Sequence, residues 1–403
     1  MNPKLFYRLS APLPFMSVYS EIGVKRVVNA AFALTRLGGS TVPKEVQEAM
    51  ERANEGYCNM WDLMVKGGQI IAKGTGAEAA LITSGGFAAL TLAAAACIAG
   101  RDPEKMRRLP NTEGMKNEII IQRCNRLYVY DRAMEVAGGR FVMVGDENWG
   151  CDVTEFEAAI TEKTAAIHYA FPTGPKRGVP GLKELLKMAH SHGIPVIVDA
   201  AGMTYPTSNF KSYMDMGADV VAFGGKYVLG PNSTGFAIGK KDLIEAMMLH
   251  SFIGAESGPD ETPGKWRGIG RGYKLDRQEI VGLIVAFKRW MALDHEAERI
   301  APAWKRAQYI EKRIRKLPGL NEARITWLPK SGTGIAYNTL GLNIHFVDRS
   351  IEEVSKIVKD LKEGDPEVWV RYWGDSNNFI INTLMLLPGQ EKELVERFEK
   401  IFA

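Results

Sequence analysis

The stretches IPVIVDA at residues 194–200 and ADVVAFGGKYVLGPNSTG at 218–235 decide the fold. Each opens as a short apolar, β-branched run bounded by Gly or Pro, the pattern of a buried strand. The first run ends on Asp199; the second enters a turn in which Lys226 follows two glycines. Neighbouring parallel strands would bring both side chains to the carboxyl rim of a sheet, where open α/β sheets bind ligands. Taken singly, a lysine is a surface residue and an aspartate after a strand is a turn cap. Together they are the pair that pyridoxal 5′-phosphate requires: a carboxylate to keep a pyridine nitrogen protonated, and an amine to form a Schiff base with an aldehyde.

Outward from this pair the pattern repeats. AALIT (79–83), EIIIQ (118–122), RFVMVG (140–145), TAAIHYA (164–170) and TGFAIG (234–239) are further strand-like runs. Amphipathic stretches such as LKELLKMAHSHG (182–193) separate several of them, this one closing on a helix-ending glycine. Nearly continuous apolar strands covered by helices predict a three-layer αβα domain around a mostly parallel sheet of about seven strands. The last run follows Lys226 after only a turn, so it is expected antiparallel at an edge. A long charged helix or helix pair over 283–317 follows, with Pro302 as the expected break. Beyond it, ITWLP, LGLNIHF, a helix over 351–364, EVWVRYW, FIINTLML and a final helix predict a smaller C-terminal α/β domain. The expected division is an N-terminal arm (1–20), a large cofactor-binding domain (21–290) and a small domain (291–403).

Composition narrows the function. The chain has 403 residues, 46% hydrophobic and 24% charged, enough for two cores. A net charge of +4 without Lys/Arg clusters gives nucleic acid no electrostatic footprint. Cys58, Cys97, Cys124 and Cys151 form no CxxC pair, which argues against a zinc site or disulfide framework and fits a reducing cytoplasm. No metal-ligand spacing links the six histidines, and His168 reads as a satisfied core histidine. Residues 1–20 lack a signal-peptide pattern. The apolar run 81–99 is interrupted by Thr83, Ser84, Gly85 and Gly86, so it reads as a buried strand–loop–helix rather than a membrane span. Ser84, Gly85 and Gly86 open the helix after the AALIT strand, where backbone N–H groups and a hydroxyl can cradle a phosphate.

These stretches, with VVNAAFALTRLGGSTVPKEVQEAM (27–50), IIIQRCNRLYVYDRAMEVAGG (119–139) and GIGRGYKLDRQEIVGL (268–283), resemble the fold-type I pyridoxal phosphate enzymes. Within them the likeness is to the branch of D-glucosaminate-6-phosphate ammonia-lyase and L-seryl-tRNA(Sec) selenium transferase, over roughly residues 20–300. The resemblance implies a homodimer or higher homo-oligomer, Asn125 over the cofactor ring, and Asn29, Arg271 and Arg371 as substrate ligands, Arg371 for an α-carboxylate. It also marks departures: Asn125 stands where the branch usually has a histidine, Gly224 where it often has a serine, and Arg277-Gln278 where it has Lys-Glu.

The expected activity is lyase chemistry on a 3-hydroxy amino acid or amino sugar acid, with Lys226 removing the Cα proton and a 2-keto acid and ammonia leaving. Racemase, epimerase or aminotransferase chemistry on an amino acid is the alternative with the same cofactor. A selenium transferase-like enzyme acting on tRNA is the alternative of a different class.

Overall fold

The computed structural model describes residues 18–170, 178–257, 264–328 and 340–402. Its strands are β1 (Val27–Ala30), β2 (Ala79–Thr83), β3 (Glu118–Gln122), β4 (Arg140–Val144), β5 (Thr164–Ala170), β6 (Val196–Asp199), β7 (Val220–Gly224), β8 (Gly235–Gly239), β9 (Ala323–Leu328), β10 (Gly341–Phe346), β11 (Glu367–Val370) and β12 (Asn378–Asn382). Residues 1–17 of the expected N-terminal arm lie outside the described residues.

All seven strand-like runs of the middle of the chain join one mixed sheet, in the order β2-β8-β7-β6-β5-β3-β4. From β7 to β4 the neighbours are parallel. Every residue of β5, β7 and β8 is buried, so both faces are covered, as uninterrupted apolar runs require. β8 is antiparallel, as expected, but it is not an edge strand. It lies between β2 and β7, paired antiparallel with both. GFAIG is apolar on both faces, and an edge would leave its backbone groups open to another chain. The less buried β2 takes the edge instead.

The helix Gly85–Ala99 packs on β5 through β8. Its alanines 88, 89 and 93–96 are buried, which explains the apolar run at 81–99. Among the described residues no helix is long and apolar enough to cross a membrane. The aromatic centre of this core is Phe210, Phe223, Phe236 and Phe287, whose ring centroids lie 5.0–6.0 Å apart.

Among the described residues, internal contacts divide the chain into two compact units, one within 38–293 and the other made of 18–37, 294–328 and 340–402. Residues 21–37, expected in the large domain, fall in the second unit, because β1 pairs in parallel with β11 from Val27–Glu367 to Ala30–Val370. That unit also holds the antiparallel sheet β12-β10-β9. Its core contains Val28, Val368, Ile344, Phe379, Val358 and Phe398. The helix break expected at Pro302 comes earlier, after Ala292; helical backbone resumes in the π-turn Glu296–Ile300, and Pro302 follows it at the second residue of the helix Ala301–Ile314.

Candidate active site

β6 and β7 pair through Asp199–Ala222, so the end of one and the turn after the other emerge together. The join continues past the strands: Gly224 N–H donates to Ala201 O at 3.0 Å, and Ala200 N–H to Ala222 O at 3.1 Å. Lys226 lies in the single helical turn Gly225–Val228. That turn is closed by Gly225 N–H to Thr234 O (2.7 Å) and Gly230 N–H to Gly225 O (2.9 Å). A Cβ on Gly225 would fall 2.1 Å from Thr234 Oγ1, so only glycine fits before the lysine. Thr204 Oγ1 donates to Tyr227 O at 2.9 Å, and the buried Trp290 Nε1 donates to Thr204 O at 2.8 Å. The turn is therefore anchored to the core, with Lys226 Nζ 5.3 Å from the centroid of the Tyr227 ring.

Asp199 Oδ1 accepts the Ala201 N–H at 3.0 Å, and no cation pairs with the carboxylate among the described residues. The residue keeps some accessible surface, yet burial of its carboxyl end raises its pKa. The charge of His168 and the Ala201 N–H oppose that rise, and Asp131 adds to it. A buried carboxylate lacking a cationic partner is what a protonated pyridine nitrogen would complete.

Beneath it runs a buried polar network that was not legible from composition. His168 and Asp199 share one face, since His168 pairs with Ile197 and Ala170 with Asp199. His168 Nε2 lies 3.3 Å from Asp131 Oδ1, and Nδ1 lies 3.2 Å from Ile197 O. Asp131 Oδ2 accepts from Leu127 N–H at 2.6 Å and Arg126 Nε at 2.9 Å. Burial pushes the Asp131 carboxyl up, but His168, Leu127 and Arg126 together hold it below the ordinary value. His168 is thus a satisfied core histidine, as the sequence suggested. The available signal for Asp131 was its helical spacing, which puts it on the buried face with Met134.

Ser84 precedes the helix Gly85–Ala99 without capping it, and its hydroxyl has no hydrogen bond among the described residues. Gly85 has φ +84°, and a Cβ on Gly86 would meet only the Ala201 Cβ, at 3.8 Å. The first turn of that helix therefore lies beside the loop after β6, and its backbone N–H groups at a helix start suit a phosphate. Asn125 follows β3 and is buried, its Nδ2 donating to Gln122 Oε1 (3.0 Å) and toward Ala170 O (3.4 Å). β4 and β5 flank β3 on opposite sides, so this amide marks the point where strand order reverses.

In this unit Lys226, Asp199, Ser84, Gly85, Gly86 and Asn125 all fall at the carboxyl rim. The exposed guanidinium of Arg271 pairs with Glu256 at 2.7 Å. Arg277 and Gln278 donate to Ala53 O and Asn54 Oδ1, clasping the end of the helix Lys44–Ala53. Asn29 and Arg371 belong to the second unit. The Asn29 amide bridges its own loop, accepting from Ala31 N–H at 3.0 Å and donating to Phe32 O at 3.1 Å. Arg371 lies 5.2 Å over the Trp373 ring.

The family profile described as Aminotransferase class-V matches residues 117–350. A 5′-C-glycyluridine monooxygenase-decarboxylase from Streptomyces sp is 30% identical over 391 residues, 95% of this chain and 91% of the relative. A D-glucosaminate-6-phosphate ammonia lyase from Salmonella typhimurium is 30% identical over 278 residues, 68% of this chain and 70% of the relative. A solved D-glucosaminate-6-phosphate ammonia-lyase structure superposes with a TM-score of 0.79 at 26% identity, covering 96% of this chain and 98% of its own.

Proposed function

Because the chain belongs to the class-V aminotransferase family and has the fold-type I pyridoxal phosphate architecture, we propose that it is a pyridoxal 5′-phosphate-dependent ammonia-lyase. Its substrate is a 3-hydroxy amino acid or amino sugar acid. The observation that carries this reading is the Asp199 carboxylate, with no ion pair among the described residues, beside the glycine-bound turn of Lys226.

The residues at the rim fit the cofactor. Lys226 would hold its aldehyde carbon, Asp199 its ring nitrogen, Ser84, Gly85 and Gly86 its phosphate, and Asn125 supplies a fixed amide at the same rim. When bound, the cofactor supplies an electron sink for the pair left on the substrate Cα. The Lys226 amine accepts the Cα proton; a placed base of this kind supplies about 10²–10⁴-fold of rate. The Asp199 carboxylate holds a proton on the ring nitrogen. Arg371 pairs with the α-carboxylate in a two-point fork. Overall the substrate loses a Cα proton and the β-hydroxyl as water, and the resulting enamine hydrolyses to a 2-keto acid and ammonia.

A second reading is oxidative decarboxylation, favoured by the near full-length match to the monooxygenase-decarboxylase. One assay separates them: holoenzyme with D-glucosaminate 6-phosphate, D-glucosaminate, and D- and L-serine and threonine. Ammonia with keto acid and no oxygen uptake supports the lyase. Oxygen-dependent release of carbon dioxide replaces it with the second reading.

The free cysteines support a reducing cytoplasm as the compartment. Exposed Tyr57, Tyr128, Val129 and Tyr130 support a homodimer, which light scattering on the purified protein tests.

A further inference from the structure

The hydrogen bonds of the polar network beneath Asp199 fix its charge. Both ring nitrogens of His168 face oxygens: Nδ1 lies 3.2 Å from the Ile197 carbonyl and Nε2 lies 3.3 Å from Asp131 Oδ1. Burial opposes ionisation of Asp131, but His168, the Leu127 N–H and the Arg126 Nε–H together hold it as the carboxylate. A carbonyl and a carboxylate can only accept. A neutral imidazole has a single N–H and would leave one of these two contacts without a proton. Satisfying both takes the imidazolium, with a proton on each nitrogen. The His168 and Asp131 side chains are 0% exposed, so water offers neither nitrogen another partner.

One positive charge is then left over in the core. Arg126 already balances Asp131 at 2.9 Å, its guanidinium 4.6 and 4.4 Å from the centroids of the Tyr128 and Phe141 rings. A buried charge needs an opposite one to answer it. Asp199 lies on the same face as His168, two residues along and one strand across, which strand spacing makes about 8 Å. Burial opposes the Asp199 charge most; among the charges acting on it, His168 favours the carboxylate and Asp131 opposes it. The other elements packed on β5 add little. The helix Gly85–Ala99 offers Cys97 alone as an ionisable group, kept as the neutral thiol by burial, which pushes its pKa up to about 12. In β3 the single ionisable residue, Glu118, stands at the far end beside Thr164.

We propose that His168 is a positioning residue for the cofactor: its buried imidazolium, made by Asp131 and the Ile197 carbonyl, keeps Asp199 as the carboxylate that receives the ring N–H. The chain thus carries a cation that favours the Asp199 charge before any cofactor arrives. Arg126 and Leu127 hold Asp131 ionised, and Asp131 in turn holds the second proton on His168. This role rests on the assignment of Asp199 to the ring nitrogen.

Neutron diffraction from crystals of the perdeuterated holoenzyme reads the proton count in the wild type. Deuterium is expected on both Nδ1 and Nε2 of His168, and one bare nitrogen overturns the proposal whether or not any variant folds. Cofactor loading, followed by visible absorbance across a pH series, reads the consequence in wild type, His168→Gln, Asp199→Asn and the double variant. Glutamine keeps a donor for Asp131 without the charge. In His168→Gln the loss of loading on the acid side is expected about one pH unit higher than in wild type. Added to Asp199→Asn, the same change is expected to move nothing, because no charge remains there for it to act on. Thermal unfolding midpoints near that of wild type show that the variants are folded. A packing role would weaken loading equally in both backgrounds; that result, or coincident curves for His168→Gln and wild type, overturns the proposal. Wild type and Asp199→Asn that coincide remove the ring-nitrogen assignment, and the role of His168 with it.

Discussion

At Asp199 burial disfavours the charge that the proposed chemistry needs, and a ring nitrogen that carries a proton would restore the balance. Its pKa is raised above the ordinary 3.8, so its carboxylate is lost at a higher pH than that of a solvent-exposed aspartate. The sign follows: cofactor affinity is full above the raised pKa and falls as pH drops through it. Loading measured by visible absorbance across a pH series should show this fall in wild type and not in Asp199→Asn. Coincident curves would remove Asp199 from the ring nitrogen. Asp199→Ala should lower turnover by about 100-fold or more while leaving part of the cofactor binding. Asp199 and Lys226 could be found from sequence because strand endings and glycine punctuation are local signals. The contact of Arg36 with Trp369 could not, since residues near opposite ends of the sequence meet only when β1 has found β11.

Element by element, the central strands were legible because burial on both faces forces unbroken apolar runs. Where β8 sits was not, because its partner on the far side, β2, is more than a hundred residues upstream and local pattern carries no information about that pairing. The helix Lys241–His250 makes a separate prediction. His250 is fully buried, its Nε2–H donating to Gly100 O at 3.0 Å, and burial pushes its pKa down to about 4 from 6.5. The unfolded chain therefore takes up a proton near pH 6.5 that the folded chain refuses until about pH 4. Stability is complete above pH 6.5 and declines as pH falls toward 4, by up to about 3 kcal/mol. Denaturant unfolding of wild type and His250→Gln between pH 7 and 4 checks this; the decline should shrink in the variant, and equal slopes would reject it.

Across the whole molecule, the second unit depends on a strand from near the start of the chain. Val28 is fully buried in the core that also contains Val368 and Phe379. Placing an unpaired charge there costs several kcal/mol, so Val28→Asp should loosen that core. Hydrogen exchange should rise in peptides spanning 340–402 and stay near wild type in 79–170; unchanged exchange at 367–370 would contradict the β1–β11 pairing. The small antiparallel sheet of this unit was readable from strand-like runs such as LGLNIHF and FIINTLML alternating with helices. The contribution of VVNA was not, because four residues are too few to show a period. This pairing also bears on synthesis at the ribosome. The strand at 27–30 must remain unmatched until its partner at 367–370 has been translated, so one unit of this protein can assemble only after the whole stretch 38–293 of the other has emerged.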